Sequence, residues 1–170
     1  MMDELTTIFT KQEEFLENID KWLKHFTSKM DLTYETSLQL FLKEKDEIDD
    51  YLSTPVDINN IDRELKMIPV IYDRVVELLP MYQYIKNSIK MLLDGTSAKL
   101  WLKCKENKLT DKTSEKVIED EDIIKQIRST YTKVNYVVDK LNSYEKKINL
   151  RMKSIDKIIK LYELGFFGNQ

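Results

Sequence analysis

From Ile127 to Tyr162, apolar side chains recur at alternating steps of four and three residues. The series is Ile127, Tyr131, Val134, Val138, Leu141, Ile148, Met152, Ile155, Ile159 and Tyr162. Only Glu145 interrupts it, and Tyr144 sits beside the gap. A sustained period of 3.5 residues keeps one stripe of a helix turned toward a partner, which is the seam of a coiled coil. Each Ile or Leu on such a seam contributes roughly 1.5–3 kcal/mol when it leaves water. A helix this long therefore wants partner helices, from its own chain or from copies. Val134, Val138, Leu141, Ile148, Met152, Ile155 and Ile159 are assigned to oligomerisation on this ground. Gly165 is placed to cap the helix, with Phe166 and Phe167 beyond it as an apolar tail suited to a neighbouring subunit.

The rest of the chain reads as helix too. Its 170 residues include only 3 Gly and 3 Pro, and they are rich in Leu, Ile, Lys and Glu, a set that favours few, long helices. With 42% hydrophobic and 34% charged residues, the expected fold is an all-α helical bundle with a long C-terminal coiled-coil-type helix. Phe15, Ile19, Trp22, Leu23 and Phe26 predict a helix over residues 5–26. A second helix is predicted over 32–52, ended by Pro55, because the residue before a proline is pushed out of helical geometry. Asn59 and Asn60 are N-cap candidates for a helix over 61–93. Pro69 and Pro80 inside it predict kinks, with a true break near Pro80. Asp94 to Thr96 form a turn or a tolerated interruption before a helix over 98–106. Residues 107–114 read as a loop in which Thr110 can cap a short helical turn. Glu119, Asp120, Glu121 and Asp122 open the last helix, where the helix dipole favours negative charge.

Charge divides the chain. Residues 1–60 hold 6 Lys and Arg against 14 Asp and Glu, a balance of −8; residues 61–170 hold 21 against 16, a balance of +5. The expected organisation is an acidic N-terminal helical segment, 1–60, and a basic helical core, 61–170, that ends in the oligomerisation helix. The net charge of −3 would argue against a polyanionic partner, but the local balance readmits one.

No enzyme constellation is legible, and the chain is read as a binder or organiser without a cofactor. His25 is the only histidine and lies far in sequence from the only cysteine, Cys104. Cys104 reads as a small buried apolar residue. There is no Gly-rich phosphate loop and no zinc spacing. The acidic run 119–122 lacks the companions that a metal site needs. No apolar run approaches the roughly 18–20 residues that cross a bilayer. The start of the chain is acidic, unlike a secretory leader, so the expected location is cytoplasmic (the host cytoplasm if phage-encoded).

What remains is a basic run. Lys86, Lys90, Lys99, Lys103, Lys105, Lys108 and Lys112 are interleaved with Tyr82, Tyr84 and Trp101. Lysines that neutralise phosphates, beside aromatics on which bases stack, suit single-stranded nucleic acid. Lys99, Trp101, Lys103, Lys105 and Lys108 are the candidate nucleic-acid-binding residues. Lys103 and Lys105 are two residues apart, so a regular helix points them to nearly opposite faces.

Leu102, Lys103, Cys104 and Lys105 lead through a polar gap to Val117–Lys125, followed by Val138, Leu141, Arg151, Ile155 and Ile158. This order resembles the UvsY family of phage recombination mediator proteins over residues 79–164. That family has a Leu-Lys-x-Arg motif, a polar gap, an acidic helix start and a long C-terminal helix with an internal arginine. The resemblance implies a ring-like homo-oligomer that binds single-stranded DNA. It also implies contacts with a recombinase and a single-strand binding protein, the first replacing the second. Lys103 and Lys105 fall on the DNA-contacting motif, although Lys105 stands where the family has arginine, and the two are not interchangeable in planar contacts. Arg151 falls on the helical arginine and reads as structural or assembly-related. The acidic N-terminal helices lie outside the resemblance. A reading from another class is a helical structural or interaction protein, used in virion assembly or in blocking a host protein, which needs only the heptads and the acidic face.

Overall fold

The structure, a computed structural model, describes Glu14, Glu17 and residues 19–21, 33–56 and 58–166. Most of the described residues are helical, with no strand among them; the fold is all-α, as the composition predicts. The first predicted helix lies mostly outside the described residues. Of its stripe only Ile19 is described, helical and buried. His25 and Phe167 also lie outside them.

The chain forms two compact units, Met1–Ser53 and Thr54–Gln170. In the first, α1 spans Tyr34–Ser53. The Thr33 hydroxyl accepts from the Thr36 N–H at 3.2 Å, an N-cap that satisfies one of the unpaired donors of the first turn. Asp20 Oδ1 accepts from the Tyr34 N–H at 2.8 Å. Ser37, Phe41 and Ile48 are buried at steps of four and seven, one side of a helix. The helix ends at Ser53, where Pro55 predicts.

The second unit is an antiparallel helical hairpin. A 3₁₀ turn, Ile58–Asn60, leads into α2, Ile61–Glu106. A short α3, Asp111–Asp120, and a long α4, Asp122–Glu163, follow. α2 and α4 are 46 and 42 residues long, and each is the other's main neighbour. Ile68, Ile71, Val75, Met81, Tyr82, Ile85 and Ile89 face the core from α2.

The expected break at Pro80 does not occur: α2 runs unbroken through Pro69, Pro80 and Gly95. Both prolines lie exposed on the side away from the core, where water can satisfy the carbonyl each leaves unpaired. The local cost of about 3 kcal/mol per proline is exceeded by core side chains worth roughly 1.5–3 kcal/mol each. Asn60 takes the N-cap position, but its side chain makes no capping bond.

One buried ion pair fixes the register of the hairpin. Arg151 Nε donates to Glu64 Oε2 at 2.7 Å and Nη2 donates to Glu64 Oε1 at 2.6 Å. Nη1 donates to the Thr54 carbonyl at 2.5 Å. Arg151 and Glu64 are 7% and 5% exposed, so this two-pronged pairing satisfies charges that would be costly to bury alone. It joins the start of α2 to the end of α4. Thr54, the first residue of the second compact unit, is thereby tied to both long helices.

The C-terminus of α4 closes as expected. Gly165, with φ 74°, donates its N–H to the Tyr162 carbonyl at 3.0 Å, and the Phe166 N–H reaches the Leu161 carbonyl at 3.1 Å. Those paired bonds are the Schellman motif, whose left-handed residue is normally glycine.

Candidate nucleic-acid interface

The candidate residues lie where α2 turns into α3. Here too the helix ends in a Schellman motif. The Lys108 N–H bonds the Lys105 carbonyl at 2.9 Å, and the Leu109 N–H bonds the Cys104 carbonyl at 3.0 Å. The left-handed position, φ 60°, is held by Lys108, where a side chain costs roughly 1–2 kcal/mol more than glycine. The Asn107 side chain also donates to the Lys103 carbonyl at 2.9 Å. The reversal swings Asp111 back toward α2.

The expected loop over 107–114 is therefore only four residues, 107–110. Thr110 caps α3: its hydroxyl accepts from the Thr113 N–H at 3.4 Å, and the Ser114 hydroxyl bonds its carbonyl at 2.9 Å. Ser114 and Ile118 are the buried side of α3. The run 119–122 does not open one helix: Glu119 and Asp120 end α3, Glu121 is extended with ψ 126°, and α4 begins at Asp122. Lys125 Nζ stands 4.0 Å from both Asp120 and Asp122 carboxylates. Among the described residues no group of His, Cys, Asp and Glu could hold a metal.

Helical geometry sorts the candidates onto two faces. Lys99 and Lys103, four apart, share one side of α2; Lys99 is exposed and Lys103 half-buried. Trp101 and Lys105 share the other, with Lys105 Nζ 4.9 Å from the Trp101 ring centroid. Lys105 also pairs with the Asp111 carboxylate and reaches the Leu109 carbonyl at 3.5 Å. Trp101 is half-buried, leaving part of its ring exposed. Cys104 is buried between the two faces. Lys108 is exposed at the turn, and Lys112 is exposed in the first turn of α3.

The seam assigned to oligomerisation is occupied from within the chain. Val134, Val138, Leu141, Ile148 and Ile155 are buried in the hairpin, whereas Met152 and Ile159 are half-buried. α2 is the partner helix that the heptads require. At the far end of the hairpin, Ile58, Asn59, Ile61, Asp62, Ile159, Tyr162 and Glu163 line a cavity of about 450 Å³. Its carboxylates and lack of lysine do not suit a polyanion. No helix among the described residues is long and apolar enough to cross a membrane.

Compared with known protein families, curated proteins and solved structures, the chain matches none.

Sequence reasoning missed Asp111 as the partner of Lys105, and also the lysines on the outer side of α4. A wheel count over residues 146–160 would have found those: Lys146, Lys153, Lys157 and Lys160 fall on one side at 3.6 residues per turn and are exposed.

Proposed function

We propose that the protein is an oligomeric single-stranded DNA-binding mediator without catalytic chemistry. Several copies present the α2–α3 turn to one strand. The observation that carries this reading is the basic character of that turn: exposed Lys99, Lys105, Lys108 and Lys112 and half-buried Lys103, with a half-buried Trp101 ring on the Lys105 face. Lysines there neutralise phosphates and the indole offers a stacking surface, a combination that grips a strand without reading its sequence. Copies add avidity, since a second contact on the same strand is intramolecular and can gain roughly two to four orders of magnitude. The role of helping a recombinase displace a single-strand binding protein follows from the UvsY resemblance and from nothing else.

The test is a salt titration of labelled oligo-dT. Affinity is expected to fall steeply with salt, with a logarithmic slope of about 0.7 per neutralised phosphate on a single strand. Lys99→Ala with Lys103→Ala and Lys108→Ala is expected to flatten that slope by about two while helicity is retained. Undetectable or salt-insensitive binding by the intact chain would overturn the reading and leave a helical interaction protein.

A further inference from the structure

The proposed function needs several copies, yet the heptad seam is spent inside the hairpin. Another surface must join them. The side of α2 opposite its core carries an exposed apolar strip. Leu65, Val76, Tyr84, Met91 and Leu102 are 52%, 41%, 47%, 76% and 62% exposed, and at 3.6 residues per turn they stand on one side of the helix. Pro69 and Pro80 lie between them, exposed on the same side. Asp73 and Asp94 are interspersed there as exposed acids, with one exposed lysine, Lys66, on the line of Tyr84 and Leu102. At about 1.5 Å per residue the strip runs about 55 Å, far longer than a scattering of single surface residues. With a helix width of about 10 Å, it offers about 550 Å² a side, so a pairing clears the roughly 1,000 Å² in total that a specific interface needs.

The outer side of α4 has the complementary character. Arg128, Lys146, Lys153 and Lys157 lie along it, exposed, with Leu150 among them at 63% exposure. Asp139 is the one acid on that line, and it accepts from Asn135 Nδ2 at 2.9 Å. Core faces of α2 and α4 meet in the middle of the hairpin, so these two outer faces point in opposite directions.

We propose that the outer face of α2 receives the outer face of α4 from a second copy lying beside it and pointing the same way. Such a contact repeats the antiparallel α2–α4 pairing already present within the chain. In the level register set by Glu64 and Arg151, Leu65 of one copy stands opposite Leu150 of the next. Asp73 then lies about one turn from Lys146, and Asp94 about one turn from Lys125. The contact is heterologous, so it propagates into a ring or an open filament. Either way every basic α2–α3 turn arrives on the same edge of the assembly, where one strand can visit several. The inference deepens the proposed function and rests on its need for more than one copy, but its test requires no DNA.

The experiment places Leu65→Cys and Leu150→Cys in the full chain under mild oxidation. A ladder of covalent multimers extending beyond the dimer is expected on a denaturing gel, with each single variant remaining monomeric on it. Leu65→Lys with Met91→Lys is expected to give a helical monomer by light scattering. A ladder absent from an assembled protein, efficient dimerisation through Leu65→Cys alone, or a wild-type monomer at high concentration would each overturn the inference. Oligo-dT binding by the Leu65→Lys, Met91→Lys monomer separates the two claims. Weakened but salt-dependent binding shows that the turn still grips a strand, and no binding at any length removes the strand reading itself.

Discussion

At the scale of single residues, the interactions that matter most are ones a neighbour makes expensive to remove. Arg151 and Glu64 satisfy each other in the core of the hairpin. Arg151→Met leaves the Glu64 carboxylate buried without its cation, and a loss of about 3–5 kcal/mol is expected in urea unfolding. Adding Glu64→Leu removes the stranded charge, so the double variant recovers most of that loss. Equal stability of the single and double variants would show that the pair is not the anchor of this end. Asp111 is a different kind of neighbour: its carboxylate, 75% exposed, holds Lys105. Asp111→Asn frees that lysine and removes a repelling anion, so oligo-dT should bind roughly two- to five-fold tighter, in line with an exposed pair worth about 0.2–1 kcal/mol. Unchanged or weaker binding would place Lys105 off the strand's path. In the N-terminal unit, burial raises the Tyr34 phenol above its ordinary value of 10.0, and its hydroxyl has no hydrogen-bond partner among the described residues. The unfolded phenol ionises first, so this contribution to stability is complete below pH 10.0 and is lost as pH rises through the folded value. Tyr34→Phe should abolish that alkaline loss and add about 1 kcal/mol at neutral pH, read as helicity against pH.

At the scale of elements, the helix ends show how much local chemistry decides. Gly165 holds a left-handed φ of 74°, and Gly165→Ala is expected to cost about 1–2 kcal/mol. Gly95 sits inside α2 with an ordinary helical backbone, and an added Cβ would meet nothing within 4 Å. Gly95→Ala should therefore stabilise the helix by about 0.4–1 kcal/mol. Opposite signs from the same substitution, measured by thermal unfolding, check that conformation rather than composition governs these positions. The α4 helix and its cap were legible in sequence because heptads and a terminal glycine are local signals. The continuity of α2 was not. A proline's cost is written in the sequence next to it, whereas the burial that outweighs it comes from α4, 87 residues away at the Glu64–Arg151 pair. The shortening of the 107–114 loop to 107–110 likewise depends on Lys108 accepting a left-handed φ, a position normally taken by glycine.

At the scale of the whole molecule, the continuity of α2 decides where the seam finds its partner. The heptads alone leave that partner open between this chain and its copies, and an α2 broken at Pro80 would be too short to cover α4. With α2 intact, the two long helices cover each other and free their outer faces for assembly. The candidate lysines were legible by type, and their division between two faces by spacing, but the capture of Lys105 by Asp111 follows from the turn, which spacing does not encode. An intrachain seam has a measurable consequence. A seam shared between subunits exists only when they associate, so its melting temperature rises with protein concentration. A seam inside the hairpin is independent of concentration once the outer faces are disabled. In the Leu65→Lys, Met91→Lys background the melting temperature should therefore stay constant across a hundred-fold dilution. Leu141, fully buried on the seam, should then cost about 2–5 kcal/mol when truncated to alanine, by the same amount at every concentration. A melting temperature that climbs with concentration in that background would return the seam to the subunit interface and undo the assignment of the outer faces.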